Sequence, residues 1–142
     1  MTNYTLANLD AWTRATQERM NAVVRGSTQE VARRAQTPRA KGGRMPVDTG
    51  NLRNSFQSSL NGSTALTGPE SYVMIAATME AGDVAEFGWG VAYARRVNSG
   101  FTGTDALGRN YNQQGAHFLE GATMQWPAIV AAEVAKAKAA VG

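Results

Sequence analysis

Residues 45–56 read MPVDTGNLRNSF. The tripeptide Asp48-Thr49-Gly50 within them is the one an aspartic protease carries at its active site, so the segment admits two incompatible folds. In a protease the tripeptide sits on a tight loop after a buried apolar strand, and two such loops meet so that two carboxylates share a proton. Here the preceding residues, AKGGRMPV, are basic and glycine-rich, with Pro46 two positions before Asp48, and no strand can be read there. The residues that follow place Leu52 and Phe56 at i and i+4, a helix spacing. No later apolar segment ending in glycine supplies a second loop. The simpler reading is a helix start. Asp48 or Thr49 accepts free backbone N–H groups near Leu52, and Gly50 permits a close approach of chain segments. On this reading Asp48→Ala costs roughly 0.5–2 kcal/mol.

Upstream of this block, residues 6–36 predict one long helix. Leu9, Trp12, Thr16, Met20, Val23, Ser27, Val31 and Ala35 recur at spacings of three or four and form one stripe. The stripe is thin and partly polar, so the helix gains more by packing on a neighbouring subunit than by covering its own domain. Arg33 and Arg34 fall in its last turns, where cations suit the helix dipole, and Pro38 stops it. Residues 37–47 form a basic loop.

Downstream, residues 57–66 read as a weak strand and Gly68-Pro69 as a turn. SYVMIAATM, 71–79, is apolar on both faces and reads as a strand. Ala81-Gly82-Asp83 is its hairpin turn and VAEFGWG, 84–90, the return strand. Residues 91–100 predict a short helix ended by Gly100, and 101–116 a long polar loop. Residues 117–140 predict a helix that Pro127 kinks or restarts. The expected architecture is α+β: a small antiparallel sheet around a central hairpin, with long N-terminal and C-terminal helices, in one domain over 1–142.

Composition restricts the function classes. The chain has 142 residues, 43% hydrophobic and 18% charged, which suits a single folded domain. It has no Cys and one His, which excludes a thiolate or His-rich metal site. No apolar run approaches the roughly 20 residues of a membrane span, and MTNYTLANLDAW lacks the order of a signal peptide. Synthesis in the cytoplasm is expected. Glu80, Asp83 and Glu86 match no calcium-loop spacing. Gly88-Trp89-Gly90 lacks the third glycine and the helix of a dinucleotide fingerprint. His117 has no Ser or Cys motif beside it. Neither an enzyme nor a cofactor is expected. The net charge of +3 is uneven: Arg33, Arg34, Arg39, Lys41, Arg44 and Arg53 cluster, opposed only by Asp48. Such a patch meets phosphates or an acidic partner, and a small basic nucleic-acid-binding module is the alternative function it supports.

The order of the segments carries a resemblance. Val47, Asp48, Thr49, Gly50, Leu52, Arg53 and Ser55 form a first block. Tyr93, Ala94, Val97, Asn98 and Gly100 form a second, and His117, Phe118, Leu119 and Ala122 a third. In this order the blocks resemble the neck and tail-component family of long-tailed bacteriophages, the tail-completion group that includes the lambda minor tail protein Z-like proteins. The resemblance implies a non-enzymatic virion protein of the neck, assembled in the host cytoplasm. Its subunits form a homo-oligomeric ring, six- or twelve-fold, between the head connector or stopper and the tail terminator or tail tube. It implies inter-subunit contacts through Trp12, Met20, Val23, Phe101 and Tyr111. Arg39, Lys41 and Arg44 would face a partner or DNA in the lumen, with no membrane contact.

Overall fold

The computed structural model describes residues 6–48, 50–104 and 106–141. Helix α1 runs Leu6–Ala35, and a single 3-10 turn, Arg39–Lys41, follows it. A short helix α2 (Asn51–Asn54) leads into strand β1 (Phe56–Leu60), followed by β2 (Leu66–Thr67) and helix α3 (Tyr72–Thr78). Strand β3 (Ala85–Trp89) precedes helix α4 (Ala94–Ser99), strands β4 (Phe101–Thr104) and β5 (Asn110–Gln113), and helices α5 (Phe118–Thr123) and α6 (Trp126–Val141). The chain is thus α+β, with small antiparallel sheets and a long helix from each end. Among the described residues no helix is long and apolar enough to cross a membrane.

The central hairpin expected from 71–79 and 84–90 does not form. Residues 72–78 are helical, and β3 pairs instead with β1, in the register Phe56↔Trp89, Ser58↔Phe87 and Leu60↔Ala85. The three-stranded order is β2-β1-β3. The physical reason lies in which positions are buried. Tyr72, Ile75, Ala76 and Met79 are buried while Val73 and Met74 are exposed, the helical period of three and four rather than the strand period of two. The weak strand read at 57–66 is the centre of the sheet, confined to Phe56–Leu60. Phe56 and Ser58 point inward with Gln57 outward. The buried Ser58 hydroxyl is satisfied by the Ser71 hydroxyl at 2.8 Å, which lets a polar residue occupy a core position.

The expected loop over 101–116 is also corrected: β4 and β5 pair from Phe101↔Gln113 to Thr104↔Asn110. Its polar residues show no alternation because neither face of the hairpin is packed on the core. The base of the hairpin is a close crossing. A Cβ at Gly115 would lie 2.6 Å from the Asn98 carbonyl oxygen, and one at Gly100, which has φ +87°, would lie 2.7 Å from that of Gln113.

The core joins α1 to the sheet. Phe56 stacks on Phe87 with centroids 5.6 Å apart and meets Tyr72 edge-on at 5.9 Å. Trp89 meets Phe118 edge-on at 4.8 Å, a favoured geometry for ring quadrupoles. Met45, Leu52, Ala116 and Phe118 extend this core beneath the turn after α1. Pro127 is the second residue of α6, where its missing N–H costs nothing, so the C-terminal helix restarts there.

Candidate functional site

Asp48-Thr49-Gly50 has a structural role that differs from the expected cap. Gly50 itself is the N-cap of α2, in the left-handed region at φ +85°, which glycine adopts without a Cβ penalty. Asp48 is exposed and makes no hydrogen bond among the described residues. Thr49 lies outside the described residues. Leu52 is buried. Arg53 Nε donates to the Gln36 carbonyl at 2.9 Å, and the Gln36 side-chain amide donates back to the Arg53 carbonyl at 2.9 Å. The block therefore locks the end of α1 to the start of the sheet.

The second and third blocks meet in the same way. Asn98 is buried. Its carbonyl accepts the His117 N–H at 2.9 Å, its Oδ1 accepts the Leu119 N–H at 3.1 Å, and its Nδ2 donates to Glu120 Oε1 at 2.8 Å. Asn98 thus caps α5 from another helix, while His117 takes the strained φ of +52° at the entry. The Glu120 carboxyl is held below its usual pKa, first by its own backbone N–H and then by Asn98. The acidic turn is equally local: Asp83 accepts the Glu80 N–H at 2.9 Å and the Asn61 amide at 3.1 Å. Among the described residues no group of His, Asp or Glu could hold a metal.

Two surface features remain. The first is a cleft of about 400 Å³ between the end of α1, the turn that follows it, and α5. Arg33, Arg34, Lys41 and Arg44 line it, with Gly43, Gly121 and Gln125. Glu30 is shared by Arg33 at 2.5 Å and Arg34 at 2.8 Å. Hydrogen bonding from Arg33, reinforced by Arg34, draws the Glu30 pKa from 4.5 down to about 2. Arg34 also donates to the Gln125 side chain. The Lys41 and Arg44 side chains have no partner among the described residues. Arg39 is not in this cleft. It borders a separate hollow with Pro46, Val47 and Asp48.

The second feature is the first half of α1. Arg34 faces Gln125, and a Cβ at Gly26 would collide with the Glu133 carboxylate. Eight residues back along α1 thus match eight residues forward along α6, and residue 141 comes level with residue 18. The start of α1 therefore runs past the end of α6 by about 12 residues, or ~18 Å. Residues 8–14 are exposed at every position. Trp12 is 67% exposed, Met20 52% and Leu9 47%, although the same stripe carries the buried Ser27 and Ala35 further along. Val23 is half-buried within the chain. Phe101 and Tyr111 face each other on the β4–β5 hairpin at 6.0 Å, with the Arg96 guanidinium 4.3 Å from the Phe101 ring centre. The cap by Asn98 and the hub at Gln36 have no signature in sequence spacing, since each partner lies many residues away. Comparison with protein-family models, with curated proteins and with solved structures finds no match to this chain.

Proposed function

We propose that the chain is a structural subunit of a closed ring in the neck of a long-tailed bacteriophage, joining the head connector to the tail. The observation that carries this reading is the α1 overhang. An apolar stripe that builds the core in one half of a helix continues into solvent in the other half, bearing Trp12 and Met20. Burying such a stripe yields about 25 cal/mol per Å² of apolar area, and nothing in the chain covers its first turns. A surface of this kind fits a heterologous contact, in which one face of a subunit meets a different face of the next and rotation closes the ring. The exposed β4–β5 hairpin, with Phe101 and Tyr111, adds a second projecting surface for the neighbour above or beside it. The order of the three sequence blocks, resembling tail-completion proteins, supplies the place in the virion.

The test is a Trp12→Glu, Met20→Glu double variant. Both positions are exposed, so the isolated subunit keeps its circular dichroism and melting temperature. The account expects heads and tails to accumulate unjoined when the variant replaces the natural chain. Normal joining by a folded variant overturns the reading.

A further inference from the structure

We propose that the cleft between the end of α1 and α5 binds a backbone phosphate of double-stranded nucleic acid. The inference rests on the cleft alone and stands or falls separately from the ring reading, which depends on the opposite end of α1.

Four cationic side chains line the cleft, and the single carboxylate among them, Glu30, is already divided between Arg33 and Arg34. The ammonium of Lys41 and the guanidinium of Arg44 are left to meet an external anion. A helix C-terminus ordinarily repels anions through its free carbonyls, but here those carbonyls are occupied. The Thr37 hydroxyl donates to the Arg33 carbonyl at 2.6 Å, the Thr37 N–H to that of Arg34 at 3.3 Å, and Arg53 Nε to that of Gln36 at 2.9 Å. Gly121 is what lets Arg44 lie across α5. A Cβ at that position would come within 2.7 Å of Arg44 Cδ and 2.9 Å of its Nε. The planar guanidinium fork matches the paired oxygens of a phosphate.

The lining also chooses between nucleic-acid forms. Binding of single strands uses exposed aromatic faces on which bases stack. The aromatic residue of this cleft, Phe118, is 2% exposed, so no ring is offered to a base. Cations without a stacking platform hold the phosphate backbone and leave the sequence unread.

The test is fluorescence anisotropy with a short labelled DNA duplex over a series of salt concentrations. The Lys41→Ala, Arg44→Ala double variant should lower the slope of log K against log salt by about 2, one for each lost phosphate contact. Arg39→Ala, which removes an equally exposed cation outside the cleft, should leave the slope unchanged. Gly121→Ala keeps every charge but displaces Arg44, and should weaken binding while the fold persists. Inorganic phosphate should compete. Equal losses from Arg39→Ala and from the cleft variants would overturn the site, as would absence of duplex binding. Tighter binding of single-stranded DNA or of a polyglutamate peptide than of the duplex would overturn the assigned ligand.

Discussion

Gln36 Oε1 accepts the indole N–H of Trp89 at 2.7 Å, and this bond ties the end of α1 to the last residue of β3. The rest of the Gln36 side chain is equally committed. Its Nε2 donates to the carbonyls of Arg53 and Pro69, both at 2.9 Å. Gln36 is 1% exposed, so the amide is a fully satisfied buried hub joining four segments. Gln36→Leu fills the same space but orphans three partners. It should cost about 3 kcal/mol, read from urea unfolding and accompanied by a shift in Trp fluorescence. A loss below about 0.5 kcal/mol would mean that water replaces the amide at little cost.

Asn98 should be the second indispensable polar residue. Asn98→Ala removes the cap of α5 and the partner of Glu120 together, and should cost roughly 1–2 kcal/mol. Amide hydrogen exchange should quicken first at Leu119. Unchanged protection there would show that α5 does not depend on the cap.

Asp48 and Gly50 should part company. Asp48→Ala removes an exposed, unbonded side chain and should alter stability by less than about 0.5 kcal/mol. Gly50→Ala meets only Asn54 Nδ2 at 3.4 Å, so its penalty is the left-handed backbone alone, about 1 kcal/mol. Urea midpoints of the two variants decide the matter. A larger loss at Asp48 than at Gly50 would restore the carboxylate cap.

The long helices and the restart at Pro127 were legible because each follows from a local rule acting over many residues. The segment 71–79 misled because a nine-residue apolar run satisfies both periods. Only its packing against α1, where Arg25 Nε reaches the Met79 carbonyl at 2.5 Å, selects the helix. Strand β1 is nearly invisible in sequence because its central inward residue is Ser58, whose burial depends on Ser71 thirteen positions away. The β4–β5 hairpin shows no alternation because it has no buried face. Of the candidate site, the basic cluster was legible as composition. Its division into a cleft holding Lys41 and Arg44 and a separate hollow beside Arg39 arises from the fold of the turn after α1.

Acid should weaken the junction of α1 with the cleft. The Glu30 pKa is lowered from 4.5 to about 2 by its bonds to Arg33 and Arg34. A carboxylate depressed on folding contributes stability that is complete above its unfolded pKa and is lost as pH falls through the folded value. The Glu30 contribution should therefore disappear between about pH 4.5 and pH 2. Melting temperatures of the natural chain and Glu30→Gln should converge across that window. Parallel curves would show that the pair adds nothing to folding.

The ring itself is tested most directly by an electron-microscopy reconstruction of the neck of the virion that carries this chain. The account predicts several copies closed into a ring coaxial with the tail, six- or twelve-fold, with Trp12 and Met20 of each subunit buried against the next. A neck and tail without the chain, or with one lone copy whose α1 overhang touches no other subunit, would contradict it.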